Sequence, residues 1–176
     1  DDVLIVCPAG LLAQWRSALR EWAPELTMTT VRGSSSDRAW QWKTKAHVHL
    51  VSYETLRSDL TENPVCPPRR RVWDVVVLDE AQKIKNPEAE VSRKCKLIPR
   101  KRAWALTGTP LENKLEDLAS ILEIVCPLSA GQTPPKLRVD SAMLAKHQRV
   151  QLRRKKADVL KDLPPKIITC LALPLS

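Results

Sequence analysis

The stretch Val75-Val-Val-Leu78, closed by Asp79-Glu80, constrains this chain more than any other. A continuous, β-branched apolar run cannot give one face to water and one to a core. It needs cover on both faces, as an interior strand of a parallel sheet does. Parallel strands need crossover connections, and helices supply them. The rest of the chain alternates accordingly. Val3–Cys7 reads as a first strand. Leu11, Trp15, Leu19 and Trp22 then recur at helical spacing on one apolar face, which assigns Trp15 and Trp22 to the core. Thr27–Val31 reads as a second strand, Gly33–Ser36 as a turn and His47–Ser52 as a third strand. Tyr53–Leu60 reads as a short helix and Thr61–Arg71 as a loop.

After the central run, Asn86 is expected to cap a helix with Pro87 at its first position and Glu88 and Glu90 in its first turn. Ala103–Leu106 reads as another strand. Leu115, Leu118, Leu122 and Val125 mark an amphipathic helix, and Cys126–Pro135 is a loop. Ser141–Leu160 reads as a basic helix and Ile167–Leu173 as a final strand. The pattern predicts an α/β fold with a parallel sheet flanked by helices.

The net charge of +9 favours a polyanionic partner, as does its clustering. Arg93, Lys94, Lys96, Arg100, Lys101 and Arg102 have no acid among them. Lys136 to Lys156 holds eight basic residues against the single acid Asp140. Such clusters suit phosphates. The five cysteines are odd in number and widely spaced, which excludes a zinc knuckle or disulfide framework as the organising element. No apolar run approaches the ~18 residues of a membrane span. His47 and His49 alternate along a strand and read as a surface pair. Trp40 and Trp42 lie in a polar segment and are left without assignment.

Chemistry concentrates where strands end. In parallel α/β sheets, ligands bind at the carboxyl ends of the strands. Asp79 there can hold a magnesium ion, usually through water. Glu80 can accept a proton from an attacking water. Taken alone, a strand that ends at solvent in two acids reads the same. Leu106-Thr107-Gly108-Thr109-Pro110-Leu111-Glu112-Asn113 ends another strand in hydroxyls. It reads either as a strand-to-helix turn with a capping box or as a polar loop that reports on a nucleotide.

Order and spacing make the pattern specific. L-I-V-C-P-A-G-L-L-A-Q-W (4–15), V-S-Y-E-T-L-R-S-D (51–59), V-V-V-L-D-E-A-Q-K-I-K-N (75–86), A-L-T-G-T-P-L-E-N (105–113) and L-R-R-K-K-A-D-V…L-P-P-K (152–166) follow one another. Together they resemble motifs Ia, Ib, II and III and the following block of Swi/Snf-type helicase-like ATPases, in helicase superfamily two. The resemblance implies a RecA-like sheet of the P-loop NTPase type over residues 1–126. It implies a basic helical connector over 127–166 and, over 167–176, a strand leading to a second ATPase lobe. It implies ATP and magnesium as cofactors and double-stranded DNA, read without sequence preference, as partner.

By this resemblance Asp79 coordinates the magnesium through water and Glu80 polarises the attacking water. Asp79, Glu80, Gln82, Thr107, Gly108 and Thr109 then face the nucleotide. Pro8, Ser52, Tyr53, Thr109, Pro110, Asn113, Arg153 and Arg154 approach DNA. Arg153 to Lys156 also brace the lobes. Gln82 resembles bacterial members, which implies the bacterial cytoplasm and nucleoid, or the nucleus in a eukaryote.

The family's phosphate loop, G-x-G-K-T, does not occur in these residues. The glycines are Gly10, Gly33, Gly108 and Gly131, and none precedes a lysine. The chain opens on Asp1-Asp2 and an apolar run, which reads as a piece of a larger protein. The piece is expected to be an incomplete first lobe, open along an apolar sheet edge and inactive by itself. A non-catalytic module that binds DNA or a protein is the alternative. An RNA helicase lobe is a further one, opposed by the Swi/Snf-type blocks.

Overall fold

The computed structural model describes residues 1–62, 67–108 and 115–152. Five parallel strands form one sheet in the order β2-β3-β1-β4-β5. They are β1 (Val3–Cys7), β2 (Met28–Val31), β3 (Val48–Ser52), β4 (Trp73–Leu78) and β5 (Arg100–Ala105). β1 sits between β3 and β4, with Val6 opposite both Val51 and Leu78. The chain order reverses across β1, so the sheet has its switch point there. The helices are α1 (Leu12–Trp22), α2 (Ser35–Gln41), α3 (Tyr53–Glu62), α4 (Pro67–Arg70), α5 (Glu90–Lys96), α6 (Leu115–Val125) and α7 (Ser141–Val150).

Both faces of the central strands are covered, as the run at 75–78 demanded. On one face Ile5, Val48, Leu50 and Val77 pack under Leu12, Trp15 and Leu19 of α1. On the other, Leu4, Val6, Val51, Val76 and Leu78 pack under Leu56 and Leu60 of α3, Cys95 of α5 and Ile121 and Ile124 of α6. Trp22 keeps the helical spacing but is 81% exposed, which corrects its assignment to the core. It is the last residue of α1, and the backbone turns away at Ala23. β5 forms one edge of the sheet, and Trp104 on it and Leu106 just after it are exposed.

Two short helices were read as turn or loop. Ser34 caps α2 through a reciprocal pair with Asp37, and the Ser-x-x-Asp spacing was the available signal. α4 lies within the expected loop 61–71. Asn86 does not start a helix. Its side-chain Oδ1 accepts the Glu88 N–H at 2.9 Å in a tight turn, and α5 begins at Glu90.

Two of the clustered basic residues are structural and do not belong to a phosphate-binding surface. Lys96 is buried, 2.7 Å from Glu123 Oε2 and 2.8 Å from Ser120 Oγ. Arg100 is 1% exposed and donates to the carbonyls of Lys96, Ile98, Glu123 and Ile124. A cation suits these carbonyls, because they close the last turns of α5 and α6, where the helix dipoles are negative.

His49 is 0% exposed, which corrects its reading as a surface residue. It stacks on Trp42 and meets Trp73 edge-on. Neither ring nitrogen has a hydrogen-bond partner. Burial pushes its pKa down to about 4, helped by the Arg71 charge. The Thr44 backbone and Asp2 oppose the shift weakly, without a bond of good geometry to the ring. Trp42 belongs to the core, whereas Trp40 is 70% exposed. The Trp42 indole N–H donates to Asp59 Oδ2 at 2.7 Å, and Arg38 Nε meets Asp59 Oδ1 at 2.7 Å.

Candidate functional site

Four strands deliver candidate residues to one end of the sheet, as parallel pairing requires. Pro8 follows β1, Ser52 closes β3 opposite Cys7, Asp79 follows β4, and Leu106–Thr107 follow β5. The ladder continues past the strand ends, with Asp79 N–H donating to Val6 O and Leu106 N–H to Leu78 O, both at 2.8 Å.

Both carboxylate oxygens of Asp79 are held. Oδ2 accepts the indole N–H of Trp15 at 2.7 Å, and Oδ1 accepts the Glu80 backbone N–H at 2.9 Å. The Tyr53 hydroxyl donates to the Asp79 carbonyl at 2.8 Å. Glu80 has φ 51°, a left-handed conformation that no other non-glycine residue adopts among those described. This costs about 1–2 kcal/mol relative to ordinary backbone, and it turns the chain abruptly from β4 into the 3-10 turn Ala81–Ile84.

A relay of hydrogen bonds then crosses from β4 to β5. Gln82 Nε2 donates to Glu80 Oε2 at 2.6 Å, and Thr107 Oγ1 donates to Gln82 Oε1 at 2.7 Å. The Ala81 N–H donates to Leu106 O at 2.8 Å and ties the backbones together. An amide is suited to the middle position, because it donates at one end and accepts at the other.

Around this core the electrostatics are ordered. Burial pushes the Cys7 thiol up to about 12, with Asp79 and Glu54 adding to the effect, so the thiol stays neutral. Burial likewise raises the Tyr53 phenol far above its ordinary range. Burial would raise Glu54, but the helix-start backbone N–H and Lys83 outweigh it and lower its pKa. Lys83 Nζ is 3.3 Å from Glu54 Oε1 and lies over the Tyr53 ring at 6.0 Å.

The residues expected to face a nucleotide therefore converge, namely Asp79, Glu80, Gln82 and Thr107, with exposed Gly108 next in the chain. Pro8 forms the start of the turn Ala9–Leu11, its carbonyl accepting the Leu11 N–H at 2.9 Å. Ser52 is 4% exposed, and its hydroxyl accepts the Thr55 N–H at the start of α3. Tyr53 is 1% exposed and bound to Asp79. Direct side-chain contact from Ser52 or Tyr53 to DNA does not fit this burial, so any contact there falls to backbone groups. Thr109, Pro110, Asn113, Arg153 and Arg154 lie outside the described residues, as do Lys155, Lys156 and the expected strand 167–173. Trp15 was read only as a core residue. Its signal was an indole N–H on a buried helix face, which must find an acceptor.

A magnesium ion fits this donor set in one particular way. Among the described residues no three acidic, histidine or cysteine side chains group into a metal cage. A single fixed carboxylate with water and phosphate completing the shell is how magnesium is commonly bound beside nucleotides.

The parallel sheet β2-β3-β1-β4-β5, flanked by helices, is RecA-like, and its acids stand at the switch-point end. The family model described as the SNF2-related domain matches residues 1–176, and the chain belongs to that family. It is 36% identical, over 98% of its length, to an uncharacterized ATP-dependent helicase of Mycoplasma genitalium. It is 31% identical, over 94% of its length, to the TATA-binding protein-associated factor mot1 of Schizosaccharomyces pombe. The chain spans 17% and 10% of those relatives' lengths. The SWI2/SNF2 ATPase core of Sulfolobus solfataricus, solved in complex with double-stranded DNA, superposes with a TM-score of 0.60 at 32% identity. The match covers 72% of this chain and 25% of that one.

Proposed function

We propose that this lobe serves an ATP-dependent translocase that moves on double-stranded DNA, with Asp79 and Glu80 at its hydrolytic centre. The single observation that carries the reading is the Glu80–Gln82–Thr107 relay across the carboxyl ends of β4 and β5. Strands that merely end at solvent need no such relay.

In this reading Asp79, fixed by two neutral donors, holds magnesium through its water shell. A magnesium ion so held supplies charge neutralisation on the transferred phosphoryl group. Glu80 accepts the proton of the attacking water. Gln82 keeps the Glu80 carboxylate aimed, and Thr107 keeps Gln82 aimed. The Pro8 turn and the backbone at Ser52 approach DNA phosphates, which position a protein without reading sequence. The fold of a SWI2/SNF2 ATPase core solved with double-stranded DNA supports that assignment.

The 176 residues alone are proposed not to turn over ATP. None of their glycines precedes a lysine, so they hold no phosphate cradle of the G-x-G-K-T type. The test is ATP turnover by the full-length protein, with and without duplex DNA, beside Glu80→Gln. DNA-stimulated turnover that falls about 10²–10⁴-fold in the variant supports a motor with its base at Glu80. Retained DNA binding without turnover in the wild type would instead favour a non-catalytic module.

A further inference from the structure

Trp15 is needed for packing only in part. The cluster under α1 already contains Leu12 and Leu19, and the indole is half-buried rather than enclosed. What sets it apart is its N–H, 2.7 Å from Asp79 Oδ2. We infer that Trp15 is a positioning residue that sets the Asp79 carboxylate for a divalent cation and links that setting to the turn at Pro8. The inference rests on the reading that Asp79 serves a magnesium–nucleotide site.

Three observations carry it. First, each carboxylate oxygen can accept two hydrogen bonds. Trp15 and the Glu80 N–H take one on each, so the rotamer is fixed while lone pairs remain for water on a cation. Second, Asp79 forms no ion pair among the described residues, in contrast to Asp59, Glu123 and Asp74, each of which meets a cation. A lysine or arginine in Trp15's place would orient Asp79 and also cancel its charge. An indole orients it and leaves the charge intact for a metal.

Third, Trp15 stands on the helix that follows the Pro8 turn directly. The Leu11 N–H bonds to Pro8 O, and α1 begins at the next residue. A hydrogen-bonded helix moves as a rod over this length. Displacement of the turn by a polyanion is therefore transmitted to the indole and so to Asp79. The sheet gives a second, stiffer tie, from Asp79 N–H to Val6 O. That tie fixes the backbone, while the indole alone reaches the carboxylate from α1.

The experiment uses the full-length protein with Trp15→Phe, and a second replacement by benzothienylalanine, which keeps the indole shape with sulfur in place of N–H. The first readout is binding of a fluorescent ATP analogue as magnesium is titrated. The second is the indole ¹⁵N–¹H resonance of Trp15 in the wild type and in Asp79→Asn. The third is duplex DNA affinity without nucleotide.

Both replacements are expected to raise the half-saturating magnesium concentration by about tenfold, the worth of one hydrogen bond to a charged group. DNA affinity is expected to stay within about twofold, since the proposal gives Trp15 no phosphate contact. The Trp15 resonance is expected to move in Asp79→Asn. A purely structural role would leave the isostere with wild-type magnesium dependence, and that result overturns the assignment. A wild type without magnesium-dependent nucleotide binding overturns the functional reading as well, so the two failures are distinguishable.

Discussion

Two tryptophan–aspartate pairs in this molecule share the same bond length and differ in everything around it. Trp42 donates to Asp59 at 2.7 Å, and Trp15 donates to Asp79 at 2.7 Å. Asp59 is 7% exposed and also meets Arg38, so its charge is cancelled and sealed. Asp79 is half-buried at the open end of the sheet and has no cation beside it among the described residues. The comparison teaches that the hydrogen bond does not decide the role. The neighbouring charge and the access to water do.

Removing each carboxylate is the hardest test of that contrast. Asp59→Ala removes the buried acceptor of the Trp42 N–H and of Arg38 Nε. This is expected to cost about 2–3 kcal/mol, read as a lower urea midpoint. Asp79→Ala is expected to lower that midpoint less, by about 1 kcal/mol for the hydrogen bonds lost at a half-buried carboxylate, and to abolish magnesium-dependent turnover of the full-length protein. Equal stability losses in the two variants would break the comparison.

Acid should act on the Trp42 side first. His49, stacked on Trp42, has its pKa lowered from 6.5 to about 4 by burial. A neutral folded imidazole and a protonatable unfolded one mean that the unfolded chain binds more protons below pH 6.5. The contribution of His49 to stability is therefore complete above the unfolded pKa, falls as pH drops through the window from 6.5 to about 4, and is fully lost below it. Between pH 7 and pH 5 the expected loss is about 2 kcal/mol. His49→Phe should flatten this slope in urea melts, and an unchanged slope would remove His49 as its source.

The smallest expected effect probes the relay. Thr107→Val keeps the shape and deletes the donor to Gln82 Oε1. It is expected to cost about 1 kcal/mol of transition-state stabilisation, or roughly fivefold in DNA-stimulated kcat. Basal DNA affinity should not change. A full-activity variant would mean that Gln82 is held by other means.

Much of this was legible in the residues. The run at 75–78 required cover on both faces and received it. The strands β1, β2, β3 and β5 fell within two or three residues of their expected bounds. The convergence of acids and hydroxyls was legible as well, because strand polarity fixes which ends meet and these side chains sit at those ends. Pairing between distant segments was not legible. Nothing local to Lys96 or Arg100 distinguishes a buried cation from a surface one. Their partners are Glu123 and the carbonyls of Lys96, Ile98, Glu123 and Ile124. His49 was misread for the same reason, since its cover comes from Trp42 and Trp73. Trp15 packs against the core as expected, but its apolar surface fitted that assignment so well that its N–H was overlooked.

The left-handed backbone at Glu80 has a consequence for selection. Glycine, and to a lesser degree asparagine, occupies that conformation more readily than glutamate. A library of this domain sorted for thermal stability alone should therefore enrich those residues at position 80. The winners would fold better and, if Glu80 is the base, would no longer run. The frequency of that replacement across a sorted library would measure how much stability the left-handed backbone at position 80 costs.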